Sequence, residues 1–112
     1  IHLVKPLDYP SLLAVIDRST FILTDSGGLQ EESPSFNKPV LILRDTTERP
    51  EVVEVGAGVL VGTNQQKIIE EAEKLLTDQQ HYEKMAHVEN PFGDGQAAQR
   101  ILNQIAKSYE LA

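Results

Sequence analysis

The stretch "FILTDSGGLQEESPS", residues 21–35, passes from a strand-favouring apolar run through a small polar pair and two adjacent glycines into a helical-looking acidic segment. A glycine pair where a strand hands over to a helix is the punctuation of a βα unit. The rest of the chain repeats that grammar. Upstream, "IHLVK" reads as a strand and "SLLAVIDRS" as a short helix that Ser11 can cap, carrying Leu12, Leu13 and Ile16. Downstream, "PVLIL" leads through "RDTTER" into a helix starting at Pro50, where a missing N–H costs nothing. "GVLV" follows as the shortest strand.

After it, Thr63 to Gln66 has the spacing of a capping box, and Ile68, Ile69, Ala72, Leu75 and Leu76 recur at helical spacing. A second short helix is expected over residues 80–86. Past the breaker "NPFG", Asp94 is placed to cap a last helix with Ala98, Ile101, Leu102, Ile105 and Tyr109 on one stripe. Short, almost wholly apolar strands alternating with helices predict an α/β fold of doubly wound type, a parallel sheet with helices on both faces.

The chain has 112 residues, the size of one domain. It begins at Ile1 with a strand-like run, which suits a piece of a longer protein. Its net charge of −7 is spread along the sequence, and a nucleic-acid partner, which needs a basic stripe, is not expected. Without cysteine there is no disulfide framework and no thiolate chemistry. No apolar run approaches membrane-spanning length and no signal-peptide pattern is present, so no membrane partner is expected and a cytoplasmic location is the default.

In a parallel sheet of this kind, ligands bind beyond the carboxyl ends of the strands, where helix N-termini present unpaired amides. Ser26 can cap the helix there, and Gly27 and Gly28 carry no Cβ to block an anion from their N–H groups. The competing reading is that the glycines only ease a tight turn. Glu32 lies six residues after Ser26, within reach of paired sugar hydroxyls beside a phosphate, or is simply an acid favoured by the helix dipole. Glu31 is read as a solvated acid. "LRDTTERPE", residues 43–51, should lie on the same rim and bring Arg44 and Arg49 near the anion site, Arg49 being favoured; pairing with Asp45, Glu48 or Glu51 is the ordinary alternative. His2, His81 and His87 have no metal-ligand spacing and are read as structural or exposed, and "NPFGDG" as a helix boundary.

Together, "TDSGGLQEE", "KPVLILRDTTERPE", "GVLVGTN" and "NPFGDGQAAQRI" closely resemble the C-terminal part of the bacterial non-hydrolysing UDP-N-acetylglucosamine 2-epimerases. The resemblance covers nearly the whole chain in order. It implies a partial Rossmann-like C-terminal domain of the glycosyltransferase-B architecture, with UDP-sugar bound between that domain and an N-terminal domain absent from this chain. By the same resemblance, Ser26, Gly27 and Gly28 match a diphosphate-binding turn, Glu32 the acid that holds the ribose hydroxyls, and Arg49 a substrate-contacting arginine. Leu7 and Leu12 match the region bordering the uracil. Relatives often carry an aromatic residue where Leu12 stands, so backbone or aliphatic contact is implied there instead of stacking. Asn37 stands where many relatives have glycine after the helix, a replacement asparagine tolerates in a left-handed cap.

The implied reaction inverts C2 of the sugar by eliminating UDP and adding it back, giving UDP-N-acetylmannosamine, in an enzyme of cell-envelope polysaccharide biosynthesis that works as a homodimer. No catalytic residue, metal or redox cofactor is assigned to this chain, which the resemblance makes a UDP-binding half-site without activity of its own. Two rivals keep the architecture: the nucleotide-binding domain of a glycosyltransferase, and a module that senses UDP-sugar without turnover.

Overall fold

The structure, a computed structural model, describes residues 1–93 and 95–110, with the backbone alone at 110. Its frame is a three-stranded parallel sheet in the order β1-β2-β3, formed by Ile22–Thr24, Val40–Ile42 and Gly58–Leu60. Ile22, Val40 and Gly58 lie side by side in register, and the two following ranks keep step with them. All of the strands predicted at "FILT", "PVLIL" and "GVLV" are therefore present.

Central strand β2 explains why an apolar run replaces the alternation of a half-buried strand. Val40, Leu41 and Ile42 are all fully buried because both faces of the sheet are covered. Val40 and Ile42 pack on one face with Val52 and Ala57. Leu41 points to the other, with Val61, Leu75 and Met85. The first face is roofed by α2 (Gly27–Ser35) and α3 (Pro50–Glu54). The second is roofed by α4 (Gln65–Thr77) and α5 (Gln79–Ala86). This is the α/β arrangement expected.

Several local expectations are corrected. Residues 1–8 form no strand, and Ile1, Leu3 and Val4 are exposed. A strand needs a neighbour for its N–H and C=O groups, and "IHLVK" finds none here. The helix that follows, α1 (Tyr9–Arg18), begins two residues before Ser11 and is capped by Asp8, whose carboxylate accepts from the Ser11 amide at 2.9 Å. Pro10 is tolerated in its first turn.

At α4 the cap is Asn64, accepting from the Lys67 amide at 3.0 Å, and Gln66 donates forward to Glu70 in place of closing a box with Thr63. The apolar stripe of α4 is also narrower than its spacing suggested. Leu75 is buried, whereas Ile69 and Leu76 stay exposed. α5 starts at Gln79, one residue earlier than expected, capped by Asp78. The last helix, α6 (Ala97–Glu110), exists as predicted; the proposed cap Asp94 lies outside the described residues.

Candidate functional site

Ser26, the loop at residues 43–49 and the turn at 61–64 follow β1, β2 and β3 respectively, so all three meet on the rim at the carboxyl ends of the strands. Ser26 is the N-cap of α2. Its backbone N–H donates to the Thr24 hydroxyl at 3.0 Å, and its own Oγ accepts from the Leu29 amide at 3.4 Å. Gly27 and Gly28 then form the first turn with helical, negative φ; the positive-φ glycines lie elsewhere, at Gly56, Gly62, Gly93 and Gly95. A Cβ on Gly28 would touch nothing closer than the Ser26 hydroxyl, at 3.7 Å. Neither backbone conformation nor packing demands glycine here, which removes the tight-turn explanation. What the pair provides is uncovered amide at the positive end of a helix.

Arg49 reaches the same spot from the other side of the rim. Its Cζ and one terminal nitrogen lie 3.7 Å from where a Gly27 Cβ would be. The backbone of Arg49 is the N-cap of α3, and its N–H donates to the Thr47 hydroxyl at 2.9 Å. Thr47 donates in turn to the buried side chain of Gln30 on α2. The Arg49 Nε pairs with Glu31, and NH1 donates to the Glu48 carbonyl at 3.2 Å. The hydrogen bond to Glu31 raises the guanidinium pKa above its ordinary value, with the charge of Glu31 acting in the same direction. Glu31 is thus exposed, as its sequence reading had it, and is also the partner of Arg49, which that reading did not include. Arg44 takes the ordinary alternative instead, an i,i+4 ion pair with Glu48 at 3.0 Å.

Glu32 sits a turn further along α2 and is half-buried. Its Oε1 accepts from the Tyr9 hydroxyl at 2.5 Å, tying α1 to α2 and raising the Tyr9 phenol above its ordinary pKa. Leu12, one helical turn after Tyr9, lies on the same face of α1 and is half-buried, while Leu7 remains 40% exposed in the segment before the helix. The structure therefore gathers Ser26, Gly27, Gly28 and Arg49 at one point. Glu32 is joined to α1 through the Tyr9 hydroxyl, with Leu12 one turn along that helix, and no contact brings Leu7 to the same point.

Sequence reasoning missed Gln30, Thr47 and Tyr9. A signal for Gln30 was present: α2 has to bury a face, yet that face offers Gln30, Ser33 and Pro34. A buried polar side chain needs a hydrogen-bond partner from a neighbouring segment. The histidines stand as read in part. His87 pairs with Glu83 at 2.5 Å and His2 is exposed, whereas His81 is half-buried with its Nε2 unpartnered. Among the described residues no group of His, Asp or Glu side chains is arranged to hold a metal ion, and no helix is long and apolar enough to cross a membrane.

Comparison with known proteins bears on the family and the fold. The sequence pattern of the family described as UDP-N-acetylglucosamine 2-epimerase matches residues 1–106. The chain is 51% identical over 107 residues to the UDP-N-acetylglucosamine 2-epimerase of Campylobacter jejuni, covering 96% of this chain and 28% of that protein. The Bacillus subtilis (strain 168) enzyme of the same name is 50% identical over 109 residues, covering 97% and 29% respectively.

Among solved structures, the UDP-GlcNAc 2-epimerase of Neisseria meningitidis bound to UDP-GlcNAc superposes with a TM-score of 0.89 at 49% identity, over 95% of this chain and 29% of that one. S. aureus MnaA with UDP gives 0.84 at 49%, over 98% and 30%. The chain spans less than a third of the length of these relatives. With its fold and nearly all of its length matched, this chain belongs to the UDP-N-acetylglucosamine 2-epimerase family.

Proposed function

We propose that this chain is the UDP-binding half of an epimerase that interconverts UDP-N-acetylglucosamine and UDP-N-acetylmannosamine. The observation that carries the proposal is the meeting, at the N-terminal turn of α2, of uncovered amides at Gly27 and Gly28 with the guanidinium of Arg49. In this reading the diphosphate sits on those amides and the Ser26 hydroxyl, with Arg49 supplying charge. Glu32 accepts from the ribose hydroxyls through the oxygen not held by Tyr9, and Leu7 and Leu12 border the uracil.

The chemistry that such a grip serves is elimination and return. As the C2 proton is taken by a base, its bonding pair forms the double bond of a glycal and the C1–O bond breaks, releasing UDP. Re-addition of UDP at C1, with a proton delivered to the opposite face of C2, gives the epimer. The part of this chain is to stabilise the charge that builds on the departing diphosphate and to hold UDP in place for the return. Glu32 is a ribose ligand, with one oxygen already committed to Tyr9, and is not the base. The groups that move the C2 proton come from the remainder of a longer protein, a cytoplasmic homodimer whose product feeds cell-envelope polysaccharide synthesis; the chain alone binds UDP weakly and does not turn it over. The small share of the relatives' length that it spans supports this division.

The test is calorimetric titration of the complete protein with UDP. Gly28→Val should abolish measurable binding, because its side chain projects into the space the fold leaves empty. Equal affinity in both forms would refute the phosphate site.

A further inference from the structure

We infer that Glu31 is a positioning residue for UDP-sugar binding, acting through Arg49; this rests on the site proposed above. Two of the three guanidinium nitrogens of Arg49 are engaged by the protein, Nε by Glu31 and NH1 by the Glu48 carbonyl. The remaining one, NH2, is the nitrogen beside Gly27. The donor left over is thus the one beside the first turn of α2, where Glu48 Oε2 also lies 3.7 Å from the Gly27 Cβ position. The backbone beneath is held as firmly, since the Arg49 N–H is bonded to Thr47 and Thr47 to the buried Gln30. Gln30 and Glu31 are consecutive on α2, so one turn of that helix both presents the amides and aims the arginine across them.

The inference runs against simple electrostatics. Glu31 is an acid within a few residues of a site for a diphosphate, in a position where charge repulsion alone makes it unfavourable. Its side chain is 46% exposed and that of Arg49 is 34% exposed, so water screens the carboxylate while the geometry of the pair persists. A long flexible arginine held in its binding rotamer before the ligand arrives loses less freedom on binding. The structure therefore assigns to Glu31 a net favourable effect through preorganisation.

The two effects predict opposite signs, which makes the experiment decisive. UDP affinity is measured by calorimetry on the complete protein as wild type, Glu31→Ala, Glu31→Gln, Arg49→Ala and the double variant Glu31→Ala/Arg49→Ala. Positioning predicts that Glu31→Ala weakens binding roughly three- to tenfold although it removes a negative charge. Glu31→Gln should restore most of the loss, because its amide oxygen still accepts from Nε. In the Arg49→Ala background, Glu31→Ala should produce no further weakening. Unchanged or tighter binding by Glu31→Ala overturns the inference, as does an equal loss in the Arg49→Ala background, which would mark a structural role. Absence of UDP binding by the wild type would instead overturn the site itself.

Discussion

Asn37 ends α2 with φ of 56°, the left-handed conformation expected for the residue that replaces a glycine there. Its N–H donates to the Pro34 carbonyl at 3.1 Å, and the Lys38 N–H turns back to Ser33 at 3.0 Å, satisfying carbonyls of the last turn. Asparagine occupies this region at low cost, whereas a β-branched residue loses about 1–2 kcal/mol. Asn37→Val should therefore lower stability by about that amount and Asn37→Gly should not, read from denaturant midpoints at unchanged slope. At this scale, conformations set by a residue and its immediate neighbours were legible, and the Ser26 cap was read on the same basis. Glu31 and Gln30 were not. Their partners lie 18 and 17 positions away, and nothing local selects Arg49 for one and Thr47 for the other.

At the scale of elements, β3 begins with a glycine for a reason that is entirely tertiary. A Cβ on Gly58 would stand 2.6 Å from Val52 Cγ1 on α3 and 2.9 Å from Val40 Cγ1 on β2. The crossover helix lies so close over the sheet that only a hydrogen fits. Gly58→Ala should cost about 1–3 kcal/mol by overpacking, and adding Val52→Ala should recover part of the loss. A thermal or denaturant series showing Gly58→Ala to be neutral would contradict the packing.

Central β2 was readable because its continuous apolar run is buried on both faces, and edge strands β1 and β3 were readable from short β-favouring apolar runs although they are only partly covered. "IHLVK" also carries β-favouring apolar residues but has no adjoining strand, so composition misled. Helix starts were legible only to within a residue or two. Asp8, Ser11, Thr63 and Asn64 are all chemically able to cap, and the tertiary path of the chain chooses among them.

As a whole molecule, the chain measures 61 × 30 × 26 Å with a radius of gyration of 17.1 Å. A compact chain of this length would have about 13 Å. The difference goes with apolar surface left in water. Ile101, Leu102, Ile105 and Tyr109 are 60%, 59%, 48% and 79% exposed along α6, in the apolar stripe read from the sequence. Leu23 on edge strand β1 is 46% exposed. Uncovered apolar stripes and open strand edges favour association. The chain by itself should show a mass that rises with concentration in light scattering, and Ile101→Lys with Ile105→Lys should reduce it. A monomer at every concentration would contradict this.

The amino-acid sequence by itself determined the βα grammar, the place of the glycine turn after β1 and the family. Each is written in short contiguous patterns whose chemistry acts within a few residues. Only the tertiary structure decided that Glu31 aims Arg49, that Tyr9 holds Glu32 and that the first segment has no ladder to join. Those outcomes depend on which distant segments the packed sheet brings within hydrogen-bonding range, and spacing along the chain does not encode that range.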